Sequence, residues 1–329
     1  MSPHGRPKGE SGSAQHERTP IHTFIKAVEY WVPGNDRLQL EYGGGLYGHA
    51  TRFAVLSRKL CFGRGEGLPG KAWEQGRPVL LKQFEGSYFQ RTAAAHAEGL
   101  TGALALPIFA GEYLNAVLVV FFGDGEDHAG AIELWHNDPA ASKDMTLADG
   151  HYGRTAEAFE FLSRRTSFRR GTGLPGVAWD SGLPVFLSDL GKGSRFLRSE
   201  SAVKVGINRG FALACTSTDG QHHVAAFLSA LDTPIVRRFE IWQREGEHLA
   251  RVSGFCETQG ELASSPVLSE RGQGTLGRAF LTGVPAVGDD ALTEPAGLGA
   301  LVQHAGVHTL AAIPMLRDGR CVAVMAWYF

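Results

Sequence analysis

The sequence predicts an α+β fold repeated in tandem, in which each unit is an antiparallel β-sheet flanked by helices. Two observations predict this class. A glycine-rich turn recurs at residues 65–70, 171–176 and 272–277, spaced by 106 and then 101 residues, and such self-similarity indicates a duplicated domain. Within a unit, strand-like segments follow one another as hairpins with helix-like segments inserted between them. That order is typical of an antiparallel α+β sheet rather than a doubly wound parallel one.

The repeat extends well beyond the glycine turn. Residues 53–81 align with residues 159–187 without a gap, and 17 of the 29 positions are identical. Two further markers recur in the same order, one upstream and one downstream of each turn. They are Val28-Glu29-Tyr30-Trp31, Ile132-Glu133-Leu134-Trp135 and Phe239-Glu240-Ile241-Trp242 upstream, and Leu106-Pro107-Ile108, Ala214-Cys215-Thr216 and Ile313-Pro314-Met315 downstream.

These markers divide the chain into segments. The first 19 residues are polar, which predicts a disordered leader. We expect unit 1 at residues 20–128, unit 2 at residues 129–234 and unit 3 at residues 235–329. Unit 3 is degenerate, because its turn has lost the Leu-Pro pair that the other two share.

Unit 2 carries the clearest local signals. Apolar, β-branched and aromatic runs predict its strands, an apolar stripe predicts its first helix, and a proline at a first helical turn predicts its second. Asp219-Gly220 predicts a tight hairpin turn, and Ser194 is expected to cap a third helix that buries Phe196 and Val203. The predicted elements are strands 131–136, 145–148, 184–187, 211–216 and 223–231, and helices 155–165, 175–182 and 194–205.

Composition excludes several classes of function. The formal net charge is −2, so no bulk attraction to nucleic acid or to an anionic membrane is expected. No apolar run approaches the length of a membrane span, and the N-terminus has no signal-peptide core. The four cysteines include no C-x-x-C pair, which suits a reducing cytoplasm. We therefore expect a cytoplasmic protein.

The residue pattern resembles a GAF domain. In unit 2 the resemblance rests on residues 168–185, then Asp189-Leu190, Phe196-Leu197-Arg198 and the closing strand pair. Unit 1 matches over residues 62–79 and 89–91, whereas unit 3 lacks the Phe-x-x-helix signature. The resemblance implies tandem GAF-like (PAS-like) domains, each a six-stranded antiparallel sheet with a pocket under a helical cap.

The resemblance also implies a class of function. GAF domains usually serve as small-molecule sensors, dimerisation modules or regulatory inputs fused to an output domain. We expect no output domain within these 329 residues. We expect a non-catalytic regulatory protein that binds an unidentified small molecule and signals through a separate partner, such as a kinase in trans, and a homodimer is possible. Alternatives are a scaffold with filled pockets and, as a minor one, a redox enzyme of the methionine sulfoxide reductase kind. The cofactor stays unknown.

Candidate ligand contacts follow from matching positions. An arginine beside an aromatic residue recurs in the predicted cap helices and could bind an anionic ligand, although a surface arginine next to a core aromatic is the favoured explanation. Asp189 matches Asp290, which favours a turn or capping role over a catalytic one. The candidates are Trp73, Phe89, Arg91, Trp179, Asp189, Phe196 and Arg198.

Other motifs predict structure more than chemistry. The glycine turn fits G-x-G-x-x-G, but no continuous apolar strand precedes it, so a glycine-requiring turn is favoured over a phosphate cradle. Cys61 and Cys215 are expected to be small buried hydrophobes, and no Cys/His cluster predicts a metal site. The marker tryptophans are expected in the core. The marker glutamates are expected either to pair with an arginine across the sheet or to mark an inter-domain contact.

Overall fold

The computed structural model describes residues 23–123, 130–153, 157–192, 196–295, 302 and 305–329, so the expected leader over residues 1–19 lies outside the described residues. In unit 1, three helices lie between successive strands along the chain. Its strands are β1 (Ile25–Pro33), β2 (Gln39–Leu46), β3 (Cys61–Gly63), β4 (Val79–Leu81), β5 (Gly102–Ala110) and β6 (Tyr113–Phe122). Its helices are α1 (Thr51–Ser57), α2 (Gly67–Gln75) and α3 (Thr92–Ala97).

Unit 2 repeats this order of elements. Its strands are β7 (Gly130–Asn137), β8 (Met145–His151), β9 (Ser167–Phe168), β10 (Val185–Leu187), β11 (Arg209–Cys215) and β12 (His222–Ser229), and its helices are α4 (Glu157–Arg165), α5 (Gly173–Ser181) and α6 (Ser199–Lys204). All five predicted strands are therefore confirmed to within a few residues. The third predicted helix begins later, at Ser199, and its expected cap Ser194 lies outside the described residues. Phe196 is buried as expected, but the prediction for Val203 is wrong, because its side chain is 43% exposed.

Unit 3 has the same plan with an additional strand. Its strands are β13 (Arg238–Glu245), β14 (His248–Cys256), β15 (Gly260–Leu262), β16 (Ser265–Glu270), β17 (Ala286–Gly288), β18 (Leu310–Arg317) and β19 (Arg320–Tyr328), with helix α7 (Gly274–Thr282) and a 3-10 turn at Ala291–Thr293.

Each unit forms its own antiparallel sheet. The strand orders are β3-β2-β1-β6-β5-β4, then β10-β11-β12-β7-β8-β9, and then β15-β14-β13-β19-β18-β17 with β16 paired to β14. The marker tryptophan strands β1, β7 and β13 lie at the centre of their sheets and pair only within their own unit. A tryptophan strand therefore does not continue the preceding sheet. The predicted α+β class with tandem GAF-like sheets is confirmed.

The backbone explains the repeated glycine turn. In each copy the first two glycines have positive φ, such as +74° at Gly171 and +65° at Gly173, a region that favours glycine. The third glycine leaves no space for a side chain. A Cβ on Gly176 would lie 2.2 Å from the carbonyl oxygen of Arg169, and a Cβ on Gly70 would lie 2.1 Å from that of Gly63.

The three sheets pack against one another through the faces opposite their helices. One core cluster draws buried residues from all three units, whereas each helix side has a core cluster of its own. Trp327 of unit 3 illustrates the shared core, since its ring lies 6.1 Å from Phe211 and 6.0 Å from Phe227 of unit 2. The three units are thus joined through a shared hydrophobic core.

Equivalent contacts join the units in a closed cycle. The residues that end the glycine-turn helix of each unit contact the last hairpin of another unit. Gly76 O accepts from Thr218 N at 2.8 Å, Ser181 O accepts from Arg317, and Gly283 O accepts from Asn115 Nδ2 at 3.2 Å. Unit 1 therefore contacts unit 2, unit 2 contacts unit 3, and unit 3 contacts unit 1.

The strand register revises one sequence marker. Ala105, Ala212 and Ala312 occupy the same position opposite β4, β10 and β17. Leu106-Pro107-Ile108 is therefore equivalent to Leu213-Ala214-Cys215, one residue before the marker assigned from sequence, because unit 2 has alanine where the other units have proline.

Candidate functional site

A buried ion pair occupies the helix side of the sheet in unit 1. Glu29 on β1 is fully buried and receives two hydrogen bonds from Arg91, from Nη2 to Oε1 at 2.6 Å and from Nη1 to Oε2 at 2.8 Å. The Tyr47 hydroxyl and the Trp31 indole nitrogen each donate to the same carboxylate at 2.9 Å. Arg91 also donates to the hydroxyl of Ser57. We call these five side chains the unit 1 glutamate cluster.

Unit 2 contains the same cluster at matching positions. Arg198 donates from Nη1 to Oε1 of Glu133 at 2.6 Å and from Nη2 to Oε2 at 2.8 Å. Tyr152 donates to this carboxylate at 3.0 Å and Trp135 at 3.1 Å, and Arg198 also donates to Ser163. Both arginines are N-cap residues of short helices, α3 and α6, which brings them over the sheet.

Unit 3 keeps the glutamate but obtains its partners elsewhere. Glu240 accepts from Arg238 Nη2 at 2.5 Å and from Arg251 Nη1 at 2.7 Å, and these arginines lie on its own strand and the neighbouring one. The tyrosine comes from the last strand, with the Tyr328 hydroxyl 2.9 Å from Oε2. Trp242 donates as its counterparts do, at 3.0 Å. The carboxylate is thus retained even where the surrounding sequence has diverged.

Charge and hydrogen bonding keep two of these carboxylates ionised. Burial alone would raise the pKa of Glu133, but the positive charge of Arg198 and the hydrogen bonds from Arg198, Ser163 and Tyr152 outweigh it, and the pKa lies below its ordinary value. The balance is the same for Glu240, where burial opposes and Arg238 and Arg251 favour the charged form. Burial and the nearby Glu133 raise the pKa of Tyr152, so its hydroxyl stays a donor.

A β-bulge accompanies each cluster. The pairing register shifts between Tyr30 and Trp31, between Leu134 and Trp135, and between Ile241 and Trp242, each time against the next strand of the same unit. Bulges re-aim side chains and are kept where that orientation matters. Recurrence in all three units indicates that the bulge helps to place the glutamate and tryptophan.

The structure brings four of the seven predicted site residues into the glutamate clusters or beside them. Arg91 and Arg198 are 4% and 3% exposed, and in this structure their guanidinium groups are engaged by glutamate. Phe89 and Phe196 lie under these guanidinium groups, with the Cζ atoms 5.2 and 5.0 Å from the ring centroids. Of the two roles considered for the marker glutamates, pairing with arginine is observed, but in units 1 and 2 the arginine caps a helix and does not lie across the sheet.

The other three predicted site residues make no hydrogen bond to the glutamate clusters in the described part of the chain. Trp73 on α2 is half-buried. Trp179 on α5 is 9% exposed, and its indole nitrogen is buried without a hydrogen-bond partner among the described residues. Asp189 makes local contacts, accepting from Gly191 N at 2.9 Å and pairing with Lys192 at 3.2 Å, which is a turn role.

Sequence reasoning missed the tyrosine and serine of these clusters. Tyr47 and Tyr152 are 105 residues apart, and Ser57 and Ser163 are 106 apart, so both follow the repeat period. That periodicity was a usable signal, because a polar residue repeated amid apolar neighbours indicates a shared buried partner.

The cysteines divide into two environments. Cys61 is exposed, so the prediction that it is buried is wrong. It lies on the short edge strand β3, whose sequence pattern did not reveal which face it presents. Cys215 is partly buried, and burial raises the pKa of its thiol to about 12, which keeps it protonated near neutral pH.

No group of three or more His, Cys, Asp or Glu side chains among the described residues could hold a metal ion. None of the helices in the described part of the chain is long and apolar enough to cross a membrane.

Comparison with known proteins finds similarity at the level of single units. No protein-family model and no curated protein matches the chain. Solved structures that resemble it include a GAF domain from A. aeolicus in an inactive state (20% identity, 31% of this chain, TM-score 0.25) and the GAF domain of a phosphoenolpyruvate-protein phosphotransferase from Coxiella burnetii (19%, 30%, 0.25). A free methionine-R-sulfoxide reductase from Neisseria meningitidis in complex with its substrate is also similar (14%, 30%, 0.24).

The matched region covers 59%, 56% and 52% of those three chains, which is between half and three fifths of their length. The architecture itself repeats in all three units: central tryptophan strands, helices inserted between the strands of an antiparallel sheet, and a glycine turn at the start of one helix. The chain therefore repeats one antiparallel α+β architecture, and single units of it are similar in fold to solved GAF domains.

Proposed function

We propose that the chain is a non-catalytic regulatory protein that acts as a GAF-based scaffold and signals through a separate protein partner. The observation that supports this most is the content of the helix side in units 1 and 2. A sensor needs an open pocket there. In unit 1 that space holds the glutamate cluster and a stack of aromatic rings, including Phe84 and Phe89 with centroids 3.9 Å apart.

The shared core supports the same proposal. A protein whose three units are joined through a buried apolar core presents fixed surfaces at fixed angles, as a scaffold requires. Burying ionised groups costs free energy that well-packed apolar side chains would avoid, so the retained glutamate clusters are devices for a unique arrangement rather than for maximal stability.

Small-molecule sensing in a GAF-like pocket is the second candidate, favoured by one observation in unit 2. The Trp179 indole N–H is buried with no partner among the described residues, and buried donors are normally paired. Its ring lies 5.6 Å from the ring of His222 and 5.3 Å from the Arg170 guanidinium. A ligand with a hydrogen-bond acceptor would satisfy this donor.

Native mass spectrometry combined with thermal denaturation separates the two candidates. The scaffold proposal expects that neither a co-purifying molecule nor a metabolite-induced rise in melting temperature depends on Trp179. We would test a metabolite panel on the wild-type chain, Trp179→Phe, and Trp73→Phe as the matched control in unit 1. A co-purifying molecule that Trp179→Phe no longer retains, or a thermal shift lost only in Trp179→Phe, would overturn the scaffold proposal in favour of sensing.

A further inference from the structure

Three arginines line a hollow of about 150 Å³ on unit 3, beside the closing hairpin of unit 1. Arg244 lies on β13 two residues after the marker tryptophan, Arg271 directly follows β16, and Arg320 begins β19. Asn115 of unit 1 also lines the hollow and donates to Gly283 O at 3.2 Å. The hollow therefore lies on the contact that joins the last unit to the first.

The aromatic ring of Phe280 orients two of the arginines. The Cζ atoms of Arg244 and Arg271 lie 5.6 and 5.9 Å from its centroid. A guanidinium that stacks on a ring keeps its N–H edges free for planar hydrogen bonds to a carboxylate or phosphate. Part of these edges is already used, since Arg244 Nε donates to Gly246 O at 2.8 Å and both arginines donate to Glu247. These bonds and the ring hold the remaining N–H groups in a fixed arrangement.

The charge around the hollow is not balanced. Its lining in the described part of the chain contains three arginines and no acidic residue. Glu247 pairs from outside the lining with Arg244 at 3.1 Å and Arg271 at 2.9 Å, but its side chain is 62% exposed, so solvent screens these pairs. Among the described residues no ion pair involves Arg320. Three positive charges therefore face one screened negative charge.

This concentration of charge is specific to unit 3. The position of Arg271 is also arginine in the other units, at Arg64 and Arg170. The position of Arg244 is Pro33 in unit 1 and Asn137 in unit 2, counted from the marker tryptophan. Unit 2 consequently offers a natural control, in which a single arginine lies over the equivalent aromatic residue, Trp179, at 5.3 Å.

We propose that the hollow is a binding site for a small oxyanion that carries at least two negative charges, such as free phosphate, a phosphate ester or a dicarboxylate. Guanidinium groups recognise these oxygens through paired, charge-assisted hydrogen bonds. A volume of about 150 Å³ has room for more than one water molecule, since about 10–15 Å³ of such space holds one water. This site is separate from the helix-side spaces of units 1 and 2, so it stands or falls independently of the scaffold proposal.

Isothermal titration at constant ionic strength tests the site on the full chain. The probes are inorganic phosphate, pyrophosphate and succinate, with chloride as the reference anion, and the variants are Arg320→Gln, Arg244→Gln and the control Arg170→Gln. We expect binding of at least one probe, about tenfold or more weaker in Arg320→Gln and Arg244→Gln, because one charged hydrogen bond contributes that much. Arg170→Gln is expected to bind as the wild type does.

The probes also separate the possible sources of the anion. Binding of phosphate and pyrophosphate without succinate identifies a phosphate group, and succinate binding alone identifies a dicarboxylate. The proposal is overturned if no probe binds more tightly than chloride, or if Arg170→Gln loses as much affinity as Arg320→Gln. Folding of each variant is checked by its thermal transition in the absence of probe.

Discussion

At the scale of single residues, the buried glutamate is the most informative feature of each unit. A carboxylate with no exposed surface needs compensation for the water it has lost, and each unit provides arginine, tyrosine and tryptophan donors. The arginine and tyrosine donors differ in origin between unit 3 and the others, whereas the glutamate and its tryptophan donor do not change. The carboxylate is therefore the fixed point around which the helix side is arranged.

Removing one arginine tests this arrangement. Arg198→Met leaves the Glu133 charge buried and uncompensated, and we expect a loss of about 3–5 kcal/mol in the free energy of unfolding. The double variant Arg198→Met/Glu133→Gln should recover part of that loss, because no charge remains buried. Urea denaturation measures both.

The control is Arg164→Met, which breaks an ion pair with Glu160 whose arginine is 49% exposed. Such surface pairs contribute about 0.3–0.5 kcal/mol. If Arg198→Met costs no more than Arg164→Met, the glutamate cluster does not stabilise unit 2.

Acid sensitivity follows from the same residue. Because the pKa of Glu133 is lower in the folded chain than its ordinary value of 4.5, its contribution is fully present above that value and is lost as pH falls through the folded pKa. We expect the stability difference between the wild type and Glu133→Gln to be constant from pH 7 to about pH 5 and to shrink below about pH 4.5. Urea denaturation from pH 7 to pH 3 measures it, and a difference that grows with acid would contradict the ionised, paired state.

At the scale of elements, the glycine turn is a steric device. Two glycines supply positive φ and the third allows a helix to approach the preceding strand, so the motif serves packing in this fold. The sequence correctly indicated a glycine-requiring turn, because the residues that define it are adjacent in the chain. The separate role of each glycine could be assigned only from the backbone dihedral angles and the space around each Cα atom.

Two alanine substitutions seven residues apart in unit 1 test whether lack of space for a side chain explains the third glycine of the turn. Gly70→Ala would place its Cβ 2.1 Å from the carbonyl oxygen of Gly63, whereas Gly63→Ala meets only the Glu66 side chain, at 3.4 Å. We expect Gly70→Ala to cost about 1–3 kcal/mol or more, as overpacking does, and Gly63→Ala to cost little. Equal effects in thermal denaturation would refute the close-approach explanation.

The sequence predicted local elements better than the partners between them. Strands and the tryptophan positions follow from patterns within about ten residues, and the structure confirms them. Arg91 and Glu29 are 62 residues apart, and no local pattern links them. One long-range signal was present, since β5 is apolar at nearly every position, which is typical of a strand buried on both faces.

At the scale of the whole molecule, the shared core makes the three units depend on one another. Trp327→Ala removes a ring that is 1% exposed and packs on Phe211 and Phe227 of another unit. We expect a loss of about 3–5 kcal/mol and a single calorimetric transition at a lower temperature. Hydrogen exchange should accelerate in β11 and β12 of unit 2 as well as in unit 3. Acceleration confined to unit 3 would contradict the shared core.

Because the contacts between helix ends and hairpins form a closed cycle, they do not depend on which unit comes first along the chain. Each unit offers one helix end and one hairpin, and every such pair is used once within the chain. A circular permutant that joins residue 329 to residue 24 and opens the chain between Gly123 and Gly130 would keep every one of these contacts. It would simply begin the same circle at unit 2.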